Sequence, residues 1–461
     1  MEQTADKSNE LGTGRLSKLI ARFAIPSVIG MMISALYNVV DRIFVGNIPE
    51  VGADAFAGIS VTFSLSLLVI AFAGLFKLGS GSLAAISLGE GDKEKANKCV
   101  NQCFSMCALI SVVFAAVILL FTDPIMRLLG ASDITLPYAR GYIRIIAYGS
   151  LFNFLGFGMN NFLYTDGSPK MAMGSMLIGG IGNMILDPIF IFTLKMGANG
   201  AAIATVISQF LSFCWTIGYF FLKRCSFKLR LKEMIPDFQL LKRIAILGMP
   251  IFINQIAHSV YMGVLYNRTA YYGSDMAVTS MGIVIIISQF TMLPVVGISH
   301  GLQPIWGYNY GSKNTKRVVA AYYAGVVLGT VYIAVLYGIY MLFPKVIAPL
   351  FISSTSNLNI DFTVKAIRTF LLLEPFLGFE IMTANFYPSV KMPFKSLLLN
   401  VFRQVFALIP LICILPMFFG LSGILYAGPI SELLTVIISI PIVIYDIKRL
   451  KSGEVYNRKT V

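Results

Sequence analysis

The sequence predicts an all-α polytopic membrane protein of twelve transmembrane helices in two six-helix lobes. Composition, the placement of basic residues and an internal repeat carry that prediction. Of 461 residues, 57% are hydrophobic and only 13% charged, about half the charged share of an ordinary soluble domain. Too little polar surface remains for a water-soluble fold, which sets aside a disordered chain, a disulfide scaffold and a cytosolic enzyme. Twelve spans leave about 38 residues each, enough for a helix of ~20–25 residues and a short loop. The first residues are polar and of mixed charge (Glu2, Asp6, Lys7, Glu10), with no apolar core before a small-residue cleavage site, so no signal peptide is expected.

Apolar stretches between turn residues place the spans at 16–45, 56–89, 97–121, 137–164, 170–194, 200–222, 240–270, 276–309, 317–343, 363–388, 394–418 and 423–447. Several exceed what a bilayer needs, which implies tilt or helix extending into the interface. An even number of spans puts both termini on one side. The termini and even-numbered connections hold 17 Lys and Arg, whereas the odd-numbered connections hold three: Arg127, Lys195 and Lys345. The positive-inside bias therefore places termini and even loops in the cytoplasm. The net charge of +14 is thus a topology signal and does not imply nucleic-acid binding.

The repeat has a period of about 224 residues. Pro26 and Tyr37 are matched by Pro250 and Tyr261, Asn161, Phe162 and Pro169 by Asn385, Phe386 and Pro393, and Gly197 and Gly200 by Gly420 and Gly423. Gly91 is matched to Gly311, 220 later. Six spans per unit make the repeats parallel, with lobes at 1–230 and 231–461. Transporters that rock two halves around a midplane site have this architecture.

An ionisable group inside a span is costly, so each is a functional candidate. Asp41 lies in the first span and Asp187 in the fifth. Asn183 stands four residues before Asp187 and Tyr37 four before Asp41, so each pair shares a helix face. Thr205 and Gln209 do the same in the sixth span, and Pro188 frees a backbone carbonyl beside Asp187. The repeat acts as a control: the equivalents of Asp41, Asn183, Asp187 and Thr205 are Leu265, Ala407, Leu411 and Gly428. The fold therefore does not require the polar set. Two carboxylates with amide and hydroxyl oxygens suit a hard monovalent cation such as Na⁺, or a proton. The plainer alternative pairs Asp41 with Arg42 and ties Asp187 to backbone beside Pro188.

In the second half Gln255, Gln289, Glu374, Glu380 and Arg403 are candidates to line a cavity, each also explicable as an interhelical hydrogen-bonding group. Gln209, Gln255 and Glu374 are taken with Tyr37 as substrate-cavity residues. His258 and His300, the only histidines, have no acidic or cysteine partner at ligand spacing. Cys99, Cys103 and Cys107 share a helix face and read as small apolar filler. The run GLFKLGSGS lacks the ending of a phosphate loop, and no nucleotide-binding cassette or nucleophile elbow is present.

On these residues the chain resembles the multidrug and toxic compound extrusion (MATE) transporters. The resemblance is carried by the Pro26, Tyr37 and Asp41 helix, GEGDKEKA, NNFLYTDGSPK, the Asn183 to Pro188 run and GANGAAIAT. It looks most like the DinF-like branch, similar to MepA-type bacterial exporters. The resemblance implies export of amphipathic, often cationic drugs or toxic metabolites, driven by inward H⁺ or Na⁺, with no other cofactor, by a monomer. It implies that Asp41, Asn183, Asp187 and Thr205 form the cation or proton site and that Tyr37 and Asn160 lie in the same cavity. The NorM-like branch has an acidic residue in its seventh span; here Gln255 and His258 stand in that stretch instead.

The expected mechanism is alternating access, with the first span bending near Pro26 as the cluster takes up its ion. A lipid-linked-oligosaccharide flippase of related fold would need several cavity arginines, and a membrane-embedded transferase a His-Asp pair or acidic metal motif.

Overall fold

The computed structural model describes residues 10–49, 51–223, 225–273, 275–351 and 360–454. Glu2, Asp6 and Lys7 lie outside the described residues, as do Arg224, Arg458 and Lys459 of the basic set. Inside a bilayer, backbone N–H and C=O groups find partners within the segment itself, which favours helix. Among the described residues the chain is helical throughout its long elements, connected by short turns.

The first lobe comprises α1 (Leu16–Gly46), α2 (Gly52–Gly89), α3 (Lys93–Leu120), α4 (Leu136–Thr165), α5 (Pro169–Pro188) and α6 (Gly197–Phe220). A π-helical turn, Ile189–Thr193, prolongs α5. The second comprises α7 (Phe238–Tyr272), α8 (Asp275–Gly311), α9 (Thr315–Leu342), α10, α11 and α12 (Leu421–Ser452). Two of these are interrupted. Helix α10 runs Ile360–Phe370, breaks into a 3₁₀ turn at Glu374–Phe376 and resumes at Leu377–Ser389. Pro375 explains the break, because it disfavours helical geometry at Glu374 and supplies no N–H. Helix α11 runs Pro393–Val401, widens to a π-helix at Phe402–Leu408 and continues as Ile409–Phe419. By length and apolarity ten helices qualify as membrane spans among the described residues. The other two are α4, which carries Arg140 and Arg144 near its start, and the broken α10.

The helix contacts repeat between the lobes. Helix α1 packs on α5, α2 on α3 and α4, α4 on α3 and α6, and α5 on α6. Adding six to each number gives the contacts of the second lobe. Between lobes, α1 packs on α8, α2 on α7, and α2 on α8. Glycines make that seam. A Cβ on Gly89 would lie 2.0 Å from the Tyr308 carbonyl oxygen, and one on Gly311 2.0 Å from that of Ile86. These reciprocal contacts relate α2 to α8 by 222 residues.

The same offset corrects the pairing of Gly91 with Gly311. Gly91 (φ +84°) corresponds to Lys313 (φ +58°), both in the left-handed region that closes the turn. Asp92 and Asn314, also 222 apart, then cap the next helices through Lys95 N (2.9 Å) and Arg317 N (3.3 Å). The match failed in the sequence because a lysine holds the position that glycine holds in the first lobe. Lys313→Gly is therefore expected to stabilise the protein by about 1 kcal/mol, the cost of left-handed backbone in a residue with a Cβ. A small rise in the melting temperature of the purified protein checks this.

The cores show how the lobes are disposed. One large core joins both lobes through Phe23, Leu75, Ile86, Ile244, Leu302 and Trp306. Toward the other face the lobes have separate cores, with Leu65, Ile118, Ile143 and Ile146 in the first and Leu265, Met281, Ile285 and Ile412 in the second. The lobes thus close on each other at one face and part toward the other. The closed face carries the N-terminal segment, where Arg317 donates to the carbonyls of Leu11 (3.2 Å) and Gly14 (2.8 Å). Lys391 pairs with Glu90 across the lobes there at 2.7 Å.

Tight backbone approach at this seam makes it sensitive to a single methyl. A Cβ on Gly248 would lie 1.9 Å from the Leu75 carbonyl oxygen, whereas one on Gly263 of the same helix meets nothing within 4 Å. Gly248→Ala is expected to cost about 1–3 kcal/mol through overpacking. Gly263→Ala, which gains helix propensity without a clash, should be neutral or mildly stabilising. Thermal unfolding of the two variants side by side distinguishes seam packing from a general glycine effect.

Candidate functional site

The first-lobe site forms where α1, α4, α5 and α6 converge. Helix α1 approaches α5 over small residues: a Cβ on Gly180 would meet Ile33 Cγ2 at 2.6 Å and Tyr37 Cδ1 at 3.5 Å. That proximity sets the Asp41 carboxyl group directly beside that of Asp187. Asp187 and Asn183 are 0% and 1% exposed. The Asn183 amide donates from Nδ2 to Asp187 Oδ1 at 3.0 Å and to Thr205 Oγ1 at 3.3 Å. The cluster predicted from four separate sequence positions is therefore contiguous in space.

Its balance of donors and acceptors is uneven. Asp41 Oδ1, Asn183 Oδ1 and Asp187 Oδ2 are buried with no hydrogen-bond partner, as is Gln209 Oε1 one turn along α6 from Thr205. All four are acceptors, and leaving such atoms unpaired is costly. Two carboxylates side by side also repel unless a proton or cation lies between them. Arg42 forms no ion pair with Asp41; its guanidinium stands over the Phe63 ring, 4.7 Å from the centroid. These residues fit one hard monovalent cation or a proton, which would supply positive charge shared among the oxygens.

Tyr37 stands beside both carboxyl groups. Tyr142 of α4, which sequence reasoning missed, stands beside Thr205 and faces the same carboxylates. Nothing in its flanking sequence marks it. Asn160 is not brought into the cluster. Its Nδ2 donates to the Ala172 carbonyl (3.0 Å) and Ser175 Oγ (2.5 Å), and Ala172 lies eleven residues, ~16 Å, before Asn183 along α5. It ties α4 to the first turn of α5.

The corresponding region of the second lobe is apolar, as the repeat control expects. Leu265 and Ala407 are 0% and 3% exposed, and Leu411 packs on the same core as Leu265. Gly428 leaves no room for a threonine, since its Cβ would lie 2.5 Å from the Phe370 carbonyl oxygen.

Polar groups gather beside that apolar region, around a cavity of about 80 Å³ lined by His258, Ser288, Gln289, Glu374, Arg403, Gln404 and Glu432 together with Tyr261 and Gly428. The α10 break delivers Glu374, which accepts from the Tyr340 hydroxyl. The π-helical segment of α11 carries Arg403 and Gln404, and such bulges commonly re-aim functional side chains. Arg403 lies between two glutamates, Nη1 3.2 Å from Glu432 Oε1 and Nε 3.6 Å from Glu380 Oε2. Gln255, expected here, is half-buried on α7 and does not line the cavity. Its neighbour Asn254 is the one that accepts from Gln404, one position and about 100° further round the helix. Glu432 went unnoticed in the sequence, although an isolated acid in the apolar twelfth span was the signal for it.

Two parallel six-helix lobes that close at one membrane face and hold buried polar clusters define a multi-pass, two-lobed membrane transporter architecture. The chain belongs to the MatE family, whose model matches it twice, over residues 26–189 and 250–414. It is 27% identical over 416 residues to the multidrug export protein MepA of Staphylococcus haemolyticus, covering 90% of each chain. A solved outward-facing multidrug resistance MATE family transporter of the MOP superfamily superimposes with a TM-score of 0.90 at 27% identity, over 97% of this chain and 99% of that one. A MATE structure in a bent conformation matches with a TM-score of 0.89 at 26% identity over the same shares.

Proposed function

We propose that this protein exports amphipathic, often cationic compounds from a bacterial cell in exchange for H⁺ or Na⁺. The first-lobe cluster carries the reading: two adjacent carboxyl groups and four unpartnered buried oxygens in one lobe, with leucines at the carboxylate positions of the other. A group the fold does not need, kept at the cost of burying charge, is a site. The names of the relatives support the export of drugs, and make a transporter the better reading than an enzyme.

With termini in the cytoplasm, as the basic residues favour, the face on which the lobes part is the outer one. Drug entering the cleft from the membrane or cytoplasm would leave outward when the ion arrives. The ion bridges Asp41 and Asp187 and relieves their repulsion. That draws α1, which carries Asp41, toward α5, which carries Asp187. Pro26 lies within α1 and removes its bond to the Arg22 carbonyl, so the helix can bend there at low cost. MATE structures similar to this chain have been solved in a bent and in a straight conformation. Drug and ion are coupled to the extent that the drug binds the two arrangements with different affinity.

The flippase alternative lacks its cation-lined cavity. Arg403, the clearest interior arginine, is neutralised by Glu380 and Glu432. Drug efflux from proteoliposomes under separately imposed proton and sodium gradients tests the proposal. Acceleration by one gradient is expected, and acceleration by neither would count against antiport.

A further inference from the structure

Lys77 takes no part in the exchange proposed above, yet it is a charge deep in the membrane. It lies on α2 twelve residues before the helix ends at Gly89, ~18 Å from the closed face at 1.5 Å per residue. A lysine side chain reaches ~6 Å, too short to bring the ammonium to the headgroups. The residue is 9% exposed. Its ammonium stacks on Phe157 of α4, 3.8 Å from the ring centroid. It makes no ion pair or hydrogen bond among the described residues.

The groups facing it bring no negative charge: Phe157 and Asn161 from α4, Cys103 from α3, and His300 from α8 of the other lobe. Among the described residues the buried side-chain nitrogens without a partner are Gln303 Nε2 and Trp306 Nε1. Lys77 Nζ is not one of them, so its tip still meets open space. Asn161 holds the backbone at this point by donating to the Lys77 carbonyl at 3.3 Å. The repeat position, 222 residues on, is Ser299, fully buried and bonded back to its own helix at Val296. The fold does not call for a cation here.

We propose that Lys77 is an anion-binding subsite at the closed end of the cleft, taking the carboxylate of an amphipathic zwitterion. This rests on the export reading and narrows its substrate class. A permanent cation alone gains nothing from Lys77 and is repelled by it. A molecule with an apolar body, a positive end and an acid satisfies the lone ammonium, while Phe157 offers an aromatic face to its body.

A matched dye pair isolates the acid. Rhodamine 6G is a cationic ethyl ester, and rhodamine 19 is the same fluorophore as the free acid. Binding to the purified full-length protein in lipid nanodiscs is read by fluorescence anisotropy. The wild type should bind rhodamine 19 about tenfold or more tighter than rhodamine 6G, the factor a charge-assisted hydrogen bond supplies. Lys77→Gln should remove that preference by weakening the acid alone, and Lys77→Arg should keep it. Equal affinities in the wild type, which need no variant to observe, would overturn the proposal. So would a Lys77→Gln that weakens both dyes alike. Efflux of the two dyes from proteoliposomes separates the two readings. Export of both with no acid preference in binding sinks the subsite alone. An acid preference in binding with export of neither sinks the export reading alone.

Discussion

Asp41→Asn should abolish ion-driven drug export while the protein still reaches the membrane folded. The amide preserves shape and most packing but removes one of the two charges that hold the ion. Leucine occupies the equivalent position, Leu265, fully buried in the second lobe, so the fold tolerates loss of charge here. Each hydrogen bond to a charged group contributes about 1.5–3 kcal/mol, so losing the carboxylate costs the ion about a hundredfold in affinity. Active efflux should fall by a similar factor, to the background of cells lacking the transporter. Drug binding, measured separately on the purified variant, should survive. Efflux of a fluorescent drug from energised cells, normalised to tagged protein in the membrane, reads the effect. Undiminished efflux would remove Asp41 from the coupling site.

Arg403→Leu should be the most destabilising single change in the second lobe. The arginine side chain is 18% exposed and the glutamates beside it, Glu380 and Glu432, are 8% and 12% exposed. Glu380 Oε1 and Glu432 Oε2 already lack hydrogen-bond partners, so nothing else stands ready to neutralise them. Removing one member of a buried ion network typically costs about 3–5 kcal/mol, because the remaining charges lose their compensation. Replacing all three together, Arg403→Met with Glu380→Gln and Glu432→Gln, should recover most of the loss, since no buried charge is then left alone. Thermal unfolding monitored by size-exclusion chromatography compares the two. A single variant that melts with the wild type would show that the glutamates find another partner.

Much of this architecture was legible because a bilayer imposes simple rules. Apolar length set the spans, lysine and arginine marked one face, and Pro26 and Pro250 both fall inside the first helix of their lobes. The first-lobe cluster was legible for a related reason: charges in a lipid-bounded span are rare, and the repeat showed which ones the fold did without. What escaped depends on long-range contact. The seam is made by glycines such as Gly89 and Gly248, but sequence cannot say which carbonyl each one admits. Tyr142 joins the cluster only because α4 crosses Thr205. Gln255 and Asn254 are adjacent polar residues, and a turn of 100° decides which one faces the second lobe's interior. The α10 break did leave a trace, Pro375 after Glu374, which a reading of apolar length alone passes over. The π-helical segment of α11 left none.

On the antiport proposal, the Asp41–Asp187 pair converts ion binding into drug movement. Drug-driven ion flux measures that conversion most directly. Proteoliposomes holding wild type, Asp41→Asn or Asp187→Asn are given an outward drug gradient with no imposed ion gradient, while H⁺ and Na⁺ movement is recorded. Drug leaving through the wild type should drive one of the two ions inward, and neither variant should move that ion although both bind drug. Equal drug-driven ion flux in wild type and both variants would contradict the account.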